Sequence, residues 1–212
     1  MRSYILYFRN CLVLPIYRNF FIASMIGGFV GTSASFTFLF STDTLGIDLK
    51  TIGRFGAYAM IASVIAYPIV GWLCDKFQPI VVNLWASVLI FVVTILSYFL
   101  IHDENSLLVF TLLTTLISVG LGLGSSAMAM KLFPQERFAQ FSSAANVFGV
   151  GIGIVGSYAV GAFMDIAHSN YRVAYLVQAV GGLAIIPLFL VYADWKRRGG
   201  PENYVPPLPP EA

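Results

Sequence analysis

Charged residues are confined to the gaps between six long apolar blocks of this chain. Uninterrupted uncharged stretches cover Asn19–Thr42, Phe55–Cys74, Phe77–Ile101, Asn105–Met130, Phe138–Met164 and Val173–Ala193. Each is about 20 residues or longer, the length that an apolar helix needs to cross the hydrocarbon layer of a bilayer. The pattern predicts six membrane-spanning helices, because a soluble core has no use for six such blocks in 212 residues.

The composition supports the same fold class. The chain is 58% hydrophobic and 10% charged with a mean hydropathy of +0.81, against roughly 25% charged in ordinary soluble domains. In lipid every backbone N–H and C=O must be satisfied within its own segment, so the blocks must form helices rather than open strands. The alternation typical of a membrane β-barrel is absent. We expect an all-α membrane protein with six transmembrane helices.

The basic residues predict the orientation. With six spans, the N-terminal segment, the second and fourth loops and the C-terminal tail share one side of the membrane. That side holds nine basic residues: Arg2, Arg9, Arg18, Lys76, Lys131, Arg137, Lys196, Arg197 and Arg198. The opposite loops hold three: Lys50, Arg54 and Arg172. The excess favours cytoplasmic termini and a place in the cell (inner) membrane. Cys11 and Cys74 then face a reducing compartment, so we expect no disulfide. A net charge of +2 gives no reason to expect nucleic acid as a partner.

The chain divides into three parts on this interpretation. Residues 1–18 are apolar but interrupted by arginines, and we expect an interfacial or linker helix there rather than a cleaved signal peptide. Residues 19–198 form the six-helix membrane domain. Residues 199–212 contain Pro206, Pro207, Pro209 and Pro210, which predicts an extended, disordered cytoplasmic tail. The alternative is that this tail docks in a groove.

Small residues recur at four-residue spacing on the first and fifth spans. Residues four apart lie above one another on a helix, so such a stripe is a shallow groove into which another helix can press. We expect helix packing at Gly27, Gly31, Gly149, Gly153 and Gly161. Ordinary bundle packing explains the stripes, and so does sliding between helices during alternating access.

The connection between the second and third spans carries a short motif. Gly71 and Asp75 are four residues apart and share a helix face, and Lys76 follows at once. An anion at the C-terminal end of a helix is unfavourable, so Asp75 is better suited to a facing helix N-terminus or an arginine. Gly71 would let that partner approach. The alternative, a solvated aspartate beside Lys76, is equally compatible with these residues alone.

This Gly-x-x-x-Asp-Lys sequence resembles the loop signature of the major facilitator superfamily. The family's pattern continues with a glycine and further basic residues, whereas this chain has Phe77-Gln78-Pro79-Ile80. Such a degraded copy is similar to the loop in the second half of these transporters. Other similar stretches are Thr42–Gly46 followed by Ile52-Gly53, Lys131–Arg137, Gly161–Asp165 and Tyr171-Arg172. The likeness runs from about residue 19 to 198.

The resemblance implies a twelve-helix fold in two six-helix halves, with substrate held between them. This chain would be the C-terminal half of such a transporter, and it is similar to the sugar–cation symporters within the family. It would be a fragment, or it would pair with the missing N-terminal half or a second copy. The expected partners are the lipid bilayer and a small solute with a coupling cation.

The resemblance also implies that the first, second, fourth and fifth spans line a cavity. Polar side chains at mid-depth on these spans are the candidates for substrate contact: Thr32, Ser35, Tyr58, Tyr67, Ser125, Ser126, Asn146 and Tyr158. Hydroxyls and an amide on an apolar wall suit a neutral polar solute. The alternative is that the hydroxyls bond to their own helices and the tyrosines only pack. The gating motif would be Gly71, Asp75 and Lys76.

Catalytic chemistry has no support in the sequence. No intramembrane ionisable residue marks an ion path, so a coupling carboxylate would come from the absent half, or loop acids such as Asp43 or Asp165 would serve. His102 and His168 stand on separate outer loops, and a metal site would require those loops to converge. No known nucleophile or phosphate-binding motif occurs. We expect no catalytic residue, metal or cofactor. The competing function is a non-transporting six-helix scaffold or assembly partner.

Overall fold

The computed structural model describes residues 11–167 and 170–208, and no strand occurs within these ranges. Six spans are long and apolar enough to cross a membrane, and we number them 1 to 6: Pro15–Thr44, Leu49–Phe77, Pro79–Leu100, Glu104–Leu132, Gln135–Ile166 and Tyr171–Arg197. The prediction of an all-α fold with six spans is confirmed. All spans except span 3 extend beyond their apolar blocks, because backbone hydrogen bonding continues into the charged flanks.

Four spans are built on one long α-helix each, and two are interrupted. The α-helices are α1 (Pro15–Gly31), α2 (Ala34–Leu39), α3 (Leu49–Phe77), α4 (Pro79–Leu100), α5 (Glu104–Leu132), α6 (Phe138–Ile166), α7 (Ala174–Ala179), α8 (Ile185–Arg197) and α9 (Gly200–Asn203). Span 1 breaks at Thr32 and Ser33, whose hydroxyls each donate to a carbonyl three residues back at 2.7 Å. Side-chain bonds of this kind compete with the helical ladder. Span 6 contains a 3₁₀ segment, Val180–Ala184, just before Pro187, which has no N–H for the preceding turn.

The spans pack in the order 5–1–6–3–4–2. Span 5 packs on span 1, span 6 packs on spans 1 and 3, and span 4 packs on spans 3 and 2. Spans 2 and 5 therefore lie at opposite edges of the bundle. Each presents a wide exposed face, so the bundle is open on one side.

Two apolar clusters close the ends of the bundle. At the end where span 1 begins and span 6 ends, the cluster includes Tyr17, Phe21, Phe133, Phe141 and Trp195. The Tyr17 ring lies edge-on to Phe141, with the centroids 4.6 Å apart. At the opposite end the buried residues are Phe40, Phe55, Ile101, Leu107 and Tyr175. The spans are thus fixed to one another above and below the middle of the bundle.

The C-terminal tail, as far as Leu208, folds back toward the bundle. Gly199 and Gly200 have φ of +109° and +57°, values that glycine adopts without strain, and they turn the chain back onto the bundle. The Tyr17 hydroxyl donates to the Pro207 carbonyl at 2.8 Å. The Tyr204 hydroxyl donates to the Leu132 carbonyl at 3.3 Å. Tyr204 packs against the aromatic cluster, whereas Val205 and Leu208 are exposed. The tail is therefore held at Tyr204 and Pro207 rather than along its whole length.

Some predictions fall on residues outside the described ranges. The expected interfacial helix over 1–18 includes residues 1–10, which lie outside them, whereas Pro15 begins span 1. Residues 209–212 and His168 also lie outside. Cys11 and Cys74 are buried free thiols.

Candidate functional site

A single residue, Gln78, connects spans 2 and 3. Helix α3 ends at Phe77 and α4 begins at Pro79, a position where the missing proline N–H costs nothing. Gln78 has φ of +73°, a conformation that costs a residue with a Cβ roughly 1–3 kcal/mol. The Lys131 ammonium donates to Gln78 Oε1 at 2.5 Å. This bond ties the loop to the end of span 4.

The motif residues lie at this same end. Asp75 and Lys76 are exposed, and Lys76 Nζ lies 4.7 Å from the centroid of the Trp72 ring. The Asp75 carboxylate makes no hydrogen bond or ion pair with any residue of the described ranges. A Cβ atom on Gly71 would meet nothing within 4 Å. The carboxylate and the space beside Gly71 are therefore both available to another element.

At the end of the bundle opposite this loop, a helix cap and an arginine join neighbouring spans. The Asp103 carboxylate accepts from Ser106 N at 2.9 Å and begins span 4. Hydrogen bonds from the Ser106 side chain, and then its backbone N–H, lower the pKa of Asp103 because they favour the charged form. The Arg172 guanidinium donates to the Ile101 carbonyl and lies 5.5 Å from the centroid of the Phe40 ring. The start of span 6 is thus joined to spans 1 and 3.

Glycines allow two helix pairs to approach closely. A Cβ on Gly28 would stand 2.4 Å from the carbonyl oxygen of Gly149. A Cβ on Gly153 would lie 3.6 Å from the Gly28 oxygen. A Cβ on Gly124 of span 4 would meet the Asn83 backbone of span 3 at 3.2 Å. The two contacts that involve Gly28 show that span 1 packs against span 5 through the helix face that carries Gly28.

The other predicted packing glycines face open space. A Cβ on Gly27, Gly31 or Gly161 would meet nothing within 4 Å among the described residues. Gly27 and Gly31 instead line a cavity between spans 1 and 4. A helix turns by about 100° per residue, so moving from Gly27 to Gly28 changes the face that is presented.

A cavity with many polar side chains lies between spans 1 and 4, and we call it the cleft. It has a volume of about 540 Å³, and its floor is formed by spans 3 and 6. Within residues 11–167 and 170–208, no charged side chain lines it. Its polar side chains are Ser24, Asn83, Ser87, Thr94, Thr114, Ser118, Ser125 and Gln178. A volume of this size suits a small solute.

A second groove joins the cleft near the end where span 1 begins and span 6 ends. It has a volume of about 570 Å³ between spans 1, 4 and 5 and shares Phe20, Ser24 and Ser125 with the cleft. Three of the predicted cavity residues line one or both of these spaces: Ser125, Ser126 and Asn146. The Ser126 hydroxyl donates to the carbonyl of Gly122 in its own helix at 2.9 Å.

The remaining five candidates lie outside both spaces. Tyr58 and Tyr67 are exposed on span 2, and Tyr158 on span 5 is 83% exposed. Ser35 is exposed on span 1, and the Thr32 hydroxyl bonds to its own helix. The three tyrosines thus lie on the two edge helices that border the open side of the bundle.

Sequence reasoning missed Asn83. A position near the start of a span is typical of a solvated helix end, yet Asn83 is 2% exposed and lines the cleft. The Ser125 hydroxyl donates to Asn83 Oδ1 at 3.3 Å. A signal was present in the sequence: Asn83, Ser87 and Thr94 follow a helical repeat within an otherwise apolar span. Gln178 of span 6 also lines the cleft.

Among residues 11–167 and 170–208, no group of three His, Cys, Asp or Glu side chains is placed to hold a metal ion. The cleft therefore offers hydroxyl and carboxamide groups on an apolar wall. Such groups bind a ligand by hydrogen bonding.

The family model described as Major Facilitator Superfamily matches residues 20–208. The match covers most of the chain, and the protein therefore belongs to this family. Its members are secondary transporters of small solutes rather than enzymes, and six apolar spans make this protein an integral, multi-pass membrane protein. No curated protein and no solved structure matches the chain.

Proposed function

We propose that this chain is one six-helix half of a transporter that moves a small neutral solute by alternating access. The cleft and the adjoining groove would face a second half, supplied either by an N-terminal half or by a second copy. The termini would lie in the cytoplasm, as the basic residues predict.

The contrast between two sides of the bundle carries the proposal. The groove between spans 3 and 6 is lined only by apolar or aromatic side chains, including Trp85, Val88 and Ile186. The groove between spans 2, 3 and 4 is similarly apolar. The hydrocarbon tails of lipids can fill such apolar grooves. The polar side chains that line the cleft instead require a molecule that forms hydrogen bonds with them. This distribution supports a lipid-facing side and a solute-facing side.

The open edges support a companion half. The exposed faces of spans 2 and 5 carry Tyr58, Tyr67 and Tyr158 beside the polar spaces, and Gly27 and Gly31 offer a shallow surface on span 1. In this arrangement Asp75 would pair with a group of the companion half when the cytoplasmic side is closed, with Gly71 leaving room for it. Lys76 would flank that contact.

The charge of the cleft bears on coupling. No ionisable side chain lines the cleft, so a symported proton or cation would need a carboxylate from the companion half. Transport without a coupling ion is the alternative, and uptake by the complete assembly with and without an imposed pH gradient separates the two.

Accessibility from the two sides of the membrane tests the proposal against a static scaffold. Cys11→Ala and Cys74→Ala remove the two native thiols, and Ser125→Cys places one thiol at the junction of the cleft and the groove. In membranes that contain the complete assembly, we expect a membrane-impermeant thiol reagent to label this cysteine from either side. Trp85→Cys, on the apolar side, should label from neither. Labelling of Ser125→Cys from one side only, or from neither, would contradict alternating access and favour the scaffold.

A further inference from the structure

Spans 3 and 6 are not among the four spans that the resemblance implies for the cavity, yet their inner faces form the floor of the cleft. The lining residues of span 3 are Asn83, Ser87, Ile90 and Thr94. Over these 12 positions a helix rises roughly 16 Å. Gln178 of span 6 faces the same space. The floor is therefore a long polar strip within one half, behind spans 1 and 4.

The hydrogen-bonding capacity of the floor is only partly used. Ser87 donates to the Asn83 carbonyl at 2.8 Å, and Thr94 donates to the Ile90 carbonyl at 2.8 Å. These hydroxyl donors are satisfied by their own helix. Asn83 Nδ2, in contrast, has only the Met128 thioether as an acceptor, at 3.9 Å. A thioether sulfur is a weak acceptor, so this amide group retains donor capacity.

Gln178 has still more capacity to bind. Its side chain makes no hydrogen bond with any residue in the described ranges, and neither does the Ser118 hydroxyl across the cleft. A carboxamide offers two donors and one acceptor oxygen. No buried side-chain nitrogen or oxygen of the described residues lacks a partner, so the free groups of Gln178 and Ser118 open onto the cleft, where water or a polar solute can bind them.

We infer that Asn83 and Gln178 determine specificity by binding the solute within this half, on the floor of the cleft, rather than only between the two halves. This inference rests on the proposed transport function. Because the lining carries no charge and offers both donors and acceptors, the ligand is a small neutral molecule with several hydroxyl or amide groups.

Cysteine labelling tests whether the floor is a polar, water-accessible surface. In the variant without Cys11 and Cys74, Gln178→Cys is compared with Val180→Cys, which lies two residues along the same span and is exposed on the outside of the bundle. Apolar surroundings suppress thiolate formation. We expect a water-soluble methanethiosulfonate to label Gln178→Cys about tenfold or more faster than Val180→Cys, since only a thiol in water forms the reactive thiolate. Equal rates would overturn the inference.

Protection by solutes distinguishes a binding floor from a merely hydrated one. Glycerol, xylitol, sorbitol and urea are each added before labelling of Gln178→Cys and, separately, Ser126→Cys in the adjoining groove. We expect the same solute to slow labelling at both positions. A solute that protects Ser126→Cys and leaves Gln178→Cys unaffected would overturn the floor site while the transport function stands. Absence of protection at both positions would overturn the floor site for these solutes, and labelling of Ser125→Cys from both sides would still support transport.

A protecting solute then allows a transport test with a matched control. Gln178→Leu and Asn83→Ala should raise the half-saturating solute concentration several-fold, with a smaller effect on the maximal rate. Gln178→Asn should restore part of the affinity. Ser97→Ala, on the same span as Asn83 but outside the cleft, should leave the half-saturating concentration unchanged, since the Ser97 hydroxyl bonds to the Val93 carbonyl of its own helix. Equal effects of Ser97→Ala and Gln178→Leu would overturn the assignment.

Discussion

Gly28 of span 1 and Gly149 of span 5 lie so close that a Cβ atom on Gly28 would stand 2.4 Å from the Gly149 carbonyl oxygen. Without a side chain between them, the two backbones can pack over a long interface. Span 5 is held to the bundle mainly by span 1. The position of one edge of the solute-facing side therefore depends on this contact.

Gly28→Ala should destabilise the protein, whereas Gly27→Ala should not. A methyl group at Gly28 meets backbone atoms that cannot move aside, and overpacking of this kind costs roughly 1–3 kcal/mol. The matched change at Gly27 enters open space. Unfolding of each variant in detergent measures the difference. Equal stability of the two variants would contradict the packing of spans 1 and 5.

Gln78→Gly should be more stable than Gln78→Ala. Both substitutions remove the hydrogen bond from Lys131, and only glycine relieves the strain of φ +73°. The expected difference is about 1 kcal/mol or more in the free energy of unfolding. A more stable alanine variant would show that the loop adopts another conformation. Because the loop signature of the family continues with glycine, Gln78→Gly also brings this chain nearer to that pattern.

Asp75→Asn should reduce the transport rate more than the amount of protein in the membrane. The Asp75 carboxylate has no partner among the described residues, so its removal leaves this half intact while weakening a contact with the companion half. Initial flux, normalised to protein abundance, measures the effect in the complete assembly. Asp194→Asn is the control, because Asp194 pairs locally with Arg198 at 3.2 Å. Unchanged flux in Asp75→Asn would count against the gating role.

Tyr17→Phe should loosen the C-terminal tail. The variant loses the hydrogen bond to the Pro207 carbonyl, which is worth about 1 kcal/mol. Amide hydrogen exchange over residues 199–208 should accelerate as a result. Tyr192→Phe serves as the control, since the Tyr192 hydroxyl has no hydrogen bond in the described ranges. Identical exchange in both variants would contradict the attachment of the tail through Pro207.

The purified chain, reconstituted alone in liposomes, should show no proton-coupled uptake of neutral solutes. The cleft contains no carboxylate or histidine that could bind a transported proton. Accumulation of glycerol, xylitol or sorbitol is measured under an imposed pH gradient, with an uncoupler as the control. Uphill uptake that the uncoupler abolishes would show that coupling resides in this half.

The sequence was sufficient to predict the six spans and the short connection between spans 2 and 3. Apolar length and charge placement are one-dimensional properties, and the bilayer imposes them directly on the chain. It was not sufficient to distinguish Gly27 from Gly28 as the packing residue of span 1. That choice depends on the rotation of the helix about its own axis, which follows from all of its neighbours together.

The amino-acid order alone therefore determined that this protein crosses a membrane six times. Only the tertiary structure decided that Asn83 is buried beside the cleft, that the cleft is closed behind by spans 3 and 6, and that the tail returns to Tyr17. These features arise from contacts between residues far apart in the chain, such as Tyr17 and Pro207. The physical reason is that hydrophobicity selects which segments enter the bilayer, whereas close packing selects which of their faces meet.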